Sequence, residues 1–171
     1  MTDLQAYVRD IPDFPKAGIL FRDITPLMAS PKAFRMAVDG LAAYGRSVDA
    51  RLVIGAEARG FLLGPALANE IEAGFVLARK PGKLPYETVT AEYELEYGVD
   101  RLELHTDAIT PGTRVLVHDD LLATGGTATA LCSLVEQLGG TVAGCGFLIE
   151  LGDLGGRAKL GPNDVHSLLT Y

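Results

Sequence analysis

The run VLVHDDLLATGGT at residues 115–127 constrains this chain more than any other feature. It has three parts, and their order matters. An apolar stretch comes first, and in a parallel sheet such a strand ends at the edge where ligands bind. Asp119 and Asp120 follow, and Ala123, Thr124, Gly125, Gly126 and Thr127 then lead into a helical pattern. Small residues and glycines let backbone N–H groups approach a ligand closely. Stacked on a helix N-terminus, they suit a phosphate, and Thr124 and Thr127 add hydroxyl donors. Two carboxylates beside a phosphate repel it unless they meet hydrogen-bond donors or a cation. A ribose cis-diol supplies the donors, and a divalent ion also suits carboxylate oxygens. The implied ligand is therefore a ribose 5-phosphate. The Gly-Lys-Ser/Thr of the usual ATP loop and a GxGxxG opening a helix are both missing, so those two phosphate-binding loops are excluded.

The rest of the chain provides a frame for this segment. Its 171 residues fit one domain with a substantial core. From residue 50 onward, apolar runs at 51–54, 75–79, 114–117 and 142–151 alternate with helical patterns at 61–71 and 127–138. That alternation predicts an α/β fold with a parallel sheet. Gly139 and Gly140 end the second helix as a left-handed cap would. Ser30 and Pro31 supply an N-cap and a first-turn proline for a helix over 32–44. Residues 1–30, with Pro12, Phe14, Pro15, Phe21 and Pro26, show no period and read as a packed cap rather than a core element. Residues 88–97 and 99–104 alternate in β fashion around Gly98, which predicts a mobile hairpin.

Composition narrows the partners. A net charge of −7 and a pI near 4.9 repel nucleic acid, so a bound anion needs a strong local site. No apolar run reaches the roughly 18 residues that span a bilayer, and the N-terminus lacks a basic region followed by an apolar one, so a soluble cytoplasmic protein without a membrane partner is expected. Cys132 and Cys145 stand outside any CxxC spacing and read as reduced core thiols, not a disulfide framework.

The segment 115–127 resembles the phosphoribosyl-pyrophosphate signature of the type I phosphoribosyltransferases, and DDLLATGGT is especially similar to the adenine phosphoribosyltransferases among them. PDFPKAGILFRDITPL near the N-terminus, ARGFLLGPALA at 58–68, RKPGKLP at 79–85 and YELEYG at 93–98 are similar to further blocks of that family, in the same order. The resemblance implies one phosphoribosyltransferase domain over 1–171: a mostly parallel central sheet flanked by helices, a hood at 1–30 and a flexible catalytic loop at 80–104. It implies transfer of a phosphoribosyl group from 5-phosphoribosyl-1-pyrophosphate to adenine, with Mg2+ and a homodimer. By the same resemblance, Phe14, Leu20 and Arg22 belong to the base site, with Arg22 near the base or organising the hood. Arg59 and Lys83 join Asp119, Asp120 and 123–127 as ligands of the sugar donor, with magnesium carried mainly by the substrate and Asp119 or Asp120 as its candidate protein ligands. Glu96 matches the position proposed to handle the purine proton, Tyr97 stands beside it, and Arg79 is left between ligand and surface charge.

Two departures from the family pattern involve Glu57 with Ala58, and His118. Glu57 and Ala58 stand where many relatives have Asp-Ser, which removes side-chain contacts to pyrophosphate at that turn but not backbone ones. His118 replaces an aliphatic residue and is expected to be a satisfied, partly buried histidine with a potential pH effect. His105 and His166 carry no separate signal. Two other functions share the donor segment: a phosphoribosyltransferase for hypoxanthine, guanine, xanthine or orotate, and a donor-sensing regulator that binds nucleic acid. The acidic charge and the lack of an appended helix-turn-helix disfavour the regulator.

Overall fold

The computed structural model describes residues 4–94 and 99–171. Strands β1 (Arg9–Pro12) and β2 (Leu20–Asp23) pair antiparallel and precede helices α1 (Thr25–Ala29) and α2 (Pro31–Ser47). Then follow β3 (Leu52–Ala56), α3 (Gly60–Glu70) and β4 (Gly74–Ala78), and an antiparallel hairpin of β5 (Thr88–Glu94) and β6 (Val99–His105). The chain ends with β7 (Arg114–Leu122), α4 (Gly126–Gln137), β8 (Thr141–Glu150), α5 (Gly156–Lys159) and β9 (Val165–Thr170). Among the described residues, the central sheet runs β4-β3-β7-β8-β9 with every pairing parallel.

The local signals act as chemistry dictates. The Ser30 side chain accepts from the Ala33 amide at 3.3 Å, and Pro31 sits in the first turn of α2, where its missing N–H costs nothing. Gly139 adopts φ +75° just past α4. β7 and β8 are buried on both faces, which is why they read as near-continuous apolar runs. One face packs Val115, Val117 and Phe147 against α4 and the hairpin residues Ala91, Leu102 and Leu104. The other packs Leu116, Leu148 and Ile149 against α2 and α3. Cys132 and Cys145 are buried free thiols, their sulfurs 3.9 Å apart.

Three features differ from the sequence expectation. β7 extends to Leu122 because β8 keeps pairing with it, Leu122 opposite Glu150, so Asp119 and Asp120 lie within the strand and not after it. β9 closes the sheet edge although its run VHSLLT is too short and too polar to signal a strand alone. The cap of 1–30 also contributes to the core, through Ile24 and Leu27.

The topology makes a crevice. From β3 the chain first moves outward to β4, then returns to place β7 on the other side of β3. Ligands of open parallel sheets bind at the carboxyl ends of the strands where the order reverses, here between β3 and β7. Pairing between the two stops at Gly55 and His118, so the ends separate there, and Asp119 and Asp120 border the gap.

Candidate active site

The phosphate-binding candidate is a hollow of about 80 Å³ at the end of β7, lined by Asp119, by 123–127 and by Tyr93 of the hairpin. Gly125 holds the turn at φ +82°, ψ 0°, a left-handed conformation that glycine adopts without strain. The Gly125 carbonyl accepts from both the amide and the hydroxyl of Thr129, at 2.9 Å each, which fixes the first turn of α4. A cleft of about 230 Å³ shares Tyr93, Asp119, Leu121 and Thr127 with the hollow and adds Glu57, Ala58, Arg59 and Asp120. The structure thus brings Asp119, Asp120, Arg59 and the whole 123–127 loop to one place.

The two aspartates are not equivalent. Asp120 is 2% exposed and accepts from Arg59 Nε at 2.6 Å. Arg59 Nη2 stands beside the same oxygen without adding a second aligned hydrogen bond. Asp119 is only partly buried, and the Asp120 amide donates to its Oδ1 at 2.9 Å. Burial, and next the neighbouring Asp120 charge, push the Asp119 carboxyl well above its ordinary value. A raised carboxyl pKa beside the hollow marks a charge short of partners, which hydroxyl donors or a cation would supply.

The turn after β3 has its own arrangement. The Glu57–Ala58 peptide is cis. The Glu57 carboxylate accepts from Arg79 Nε at 2.6 Å, and Arg79 Nη1 donates to the Lys83 carbonyl at 3.2 Å. Arg79 is therefore an internal strut between two turns. Lys83 is exposed and does not line the hollow or the cleft. Glu96 and Tyr97 lie outside the described residues.

The hood meets the site through Phe21, whose ring lies under the Arg59 guanidinium with 5.3 Å to its centroid. Phe14 packs edge-on to Phe21 at 5.2 Å and is 51% exposed, and Leu20 is 46% exposed. The Arg22 side chain is ion-paired with Asp10 and stacks over the Tyr171 ring at 3.8 Å.

The phosphoribosyl transferase domain family matches residues 32–164. An adenine phosphoribosyltransferase of Rubrobacter xylanophilus is 62% identical over 165 residues, covering 96% of this chain and 89% of its own. That of Methylococcus capsulatus is 57% identical with 100% of both chains covered. The chain belongs to the adenine phosphoribosyltransferase family. A crystal structure of the adenine phosphoribosyltransferase from Thermoanaerobacter pseudethanolicus has a TM-score of 0.95 at 51% identity and covers 98% of each chain. The Saccharomyces cerevisiae protein, crystallised with an imino-altritol bisphosphate and adenine, has a TM-score of 0.91 at 42% identity, covering 97% of this chain and 96% of its own.

Against the adenine phosphoribosyltransferase pattern, His118 differs from expectation. It is fully buried, not partly, and only half satisfied: Nδ1 meets the Gly146 carbonyl at 2.9 Å while Nε2 has no hydrogen-bond partner. Gly55 of β3 and Gly146 of β8 stand opposite it in the strand register. A carbonyl only accepts, so Nδ1 carries the proton. Burial lowers the pKa to about 4, so the ring is neutral at physiological pH and carries no pH sensitivity there.

Sequence reasoning missed Tyr93, which borders both the hollow and the cleft. Its hydroxyl donates to Asp100 Oδ2 at 3.0 Å and meets Lys80 Nζ at 3.2 Å, fixing the ring over the loop. Strand parity held the signal: Val89, Ala91 and Tyr93 share a face of β5, and Ala91 is buried. Phe21 was grouped with the cap, although strand pairing opposite Ile11 sets its side against Phe14 and Arg59.

Proposed function

We propose that the protein transfers the 5-phosphoribosyl group from 5-phosphoribosyl-1-pyrophosphate to adenine, giving AMP and pyrophosphate, as a purine salvage enzyme. One observation carries this reading: the phosphate hollow, Asp119, Asp120 and Arg59 converge at the crevice between β3 and β7 in a chain of this family.

The residues act by position and charge. The 123–127 loop holds the 5-phosphate, and the two aspartates accept hydrogen bonds from the ribose hydroxyls. Arg59 exchanges Asp120 for pyrophosphate oxygens when the donor enters, and the ribose hydroxyls take over its place on the buried carboxylate. The bond from the anomeric carbon to pyrophosphate breaks as the bond to the purine nitrogen forms. Positive charge grows on the sugar and negative charge on the leaving group, where Arg59 and Lys83 stabilise it. Glu96 takes the proton released from the purine ring, and movement of the exposed 80–87 part of the loop, which carries Lys83, over the cleft excludes water. The hood holds the flat base, with Phe21 and Phe14 as its aromatic wall and Leu20 beside them.

The carboxylate oxygens of Asp119 and Asp120 suit magnesium, but the described residues gather no cluster of three or more ligands, so the ion would be shared with the donor's phosphate oxygens. Bound there, it would supply positive charge opposite the leaving pyrophosphate. The enzyme acts in the cytoplasm as a homodimer; exposed Leu62 of α3 and Leu77 of the edge strand β4 offer apolar surface for the second copy. Light scattering at twice the 18.1 kDa chain mass tests the dimer. Initial rates of pyrophosphate release with adenine, hypoxanthine, guanine, xanthine and orotate test the reaction. Adenine is expected to lead by about 10⁴-fold, the scale of discrimination by a site that hydrogen-bonds the base edge. No turnover with adenine would refute the assignment.

A further inference from the structure

The phosphate loop is held from behind by a part of the chain that never reaches the ligand. Gly156, the first residue of α5, lies directly against it. A Cβ on Gly156 would stand 2.2 Å from the Ala123 carbonyl oxygen, and a Cβ on Gly125 would stand 2.7 Å from the Gly156 carbonyl oxygen. Gly156 lies outside the left-handed region, so space and not torsion requires a glycine there.

The next residue anchors that contact. Arg157 donates from Nε to Glu150 Oε1 at 2.9 Å, from Nη2 to Oε2 at 2.5 Å, and from Nη1 to the Val165 carbonyl at 2.5 Å. Glu150 ends β8, is 6% exposed, and also accepts from the Ser167 hydroxyl at 2.8 Å. A buried carboxylate gripped by a guanidinium fork is stiff, because breaking it leaves an unpaired buried charge. Leu151 donates its amide to the Leu122 carbonyl at 2.9 Å, so the same corner is tied to the end of β7. Neither Glu150 nor Arg157 borders the hollow or the cleft.

We propose that Glu150 and Arg157 are positioning residues for the sugar donor, acting through Gly156 to hold the 123–127 loop in its phosphate-binding shape. This rests on the reading of that loop as the 5-phosphate site.

The test is calorimetric titration with ribose 5-phosphate and, separately, with pyrophosphate. The proteins are the wild type, Gly156→Ala, Arg157→Met, Arg157→Lys, and the loop control Thr124→Val plus Thr127→Val. Gly156→Ala and Arg157→Met are expected to weaken ribose 5-phosphate binding by about tenfold or more, with pyrophosphate affinity within about twofold. Arg157→Lys, which keeps the charge and loses the fork, recovers part of the loss. A lower urea midpoint with both affinities unchanged would mean the pair serves folding alone, and would overturn the proposal. So would weakening by the loop control without weakening by Gly156→Ala, which leaves the loop assignment standing. If the loop control itself leaves ribose 5-phosphate binding unchanged, the loop assignment fails and this proposal fails with it. Should Arg157→Met not fold, Gly156→Ala decides.

Discussion

The two halves of the cleft are built differently. The proposed donor half sits on β7, whose residues Val115, Leu116 and Val117 are fully buried, and its loop is wedged between α4 and α5. The hood half is a two-stranded ribbon whose Phe14 and Leu20 are about half exposed, joined to the body by Arg22 on Tyr171 and Arg59 over Phe21. On the proposed function, the ligands explain the contrast. Phosphate and ribose are recognised by fixed dipoles and charges, which are effective only when held rigidly. A neutral flat base needs an apolar slot, and a light ribbon can provide it.

Substitutions should separate the halves. Asp119→Asn plus Asp120→Asn is expected to raise the KM for the donor by about 100-fold or more, from two lost charge-assisted hydrogen-bond sites, with the circular dichroism spectrum unchanged. A comparable rise in the adenine KM would erase the division. Glu96→Gln is expected to lower kcat by about 100-fold while the donor KM stays within about threefold, measured by initial rates; an unchanged kcat would remove Glu96 from the proton transfer. Phe21→Ala is expected to raise the adenine KM by about tenfold and leave the donor KM alone, placing the base slot in the hood. An equal effect on both substrates would instead make Phe21 a support for Arg59.

The smallest effect concerns stability. Asp119 has its carboxyl pKa raised by burial and by Asp120 above the ordinary 3.8. Above pH 3.8 the unfolded chain ionises this group freely while the ligand-free native state resists, so Asp119 costs stability there. Asp119→Asn should therefore raise the urea midpoint at pH 7, and the gain should vanish as pH falls through 3.8, where both states are protonated. A midpoint lowered at pH 7 would mean that the carboxylate is favoured by its surroundings, contrary to its burial.

The residues that gather at the proposed donor half were largely legible from sequence alone because they are contiguous: a strand, two acids, small residues and a helix start within residues 115–127. The helices and strands between residues 31 and 151 followed from period and caps within a few residues, apart from the length of β7. What could not be read was set by distant partners. The extension of β7 through Asp120 depends on β8, β9 depends on an existing sheet edge, and the pairing of Arg59 with Asp120 joins residues 61 positions apart. His118 reads as an ordinary histidine until Gly55 and Gly146 are seen on either side of it. The hood was legible only by resemblance, since its proline-rich run has no period, and the aromatic nearest Arg59 is Phe21, beside the Phe14 and Leu20 singled out from sequence.

The most direct test of the central claim, that 115–127 is the core of a sugar-donor site that needs no base, is calorimetric titration of the protein with 5-phosphoribosyl-1-pyrophosphate and magnesium in the absence of any base. The account predicts saturable binding of one donor per chain, lost in the double Asn variant. Donor binding that required adenine, or that survived the double change intact, would contradict it.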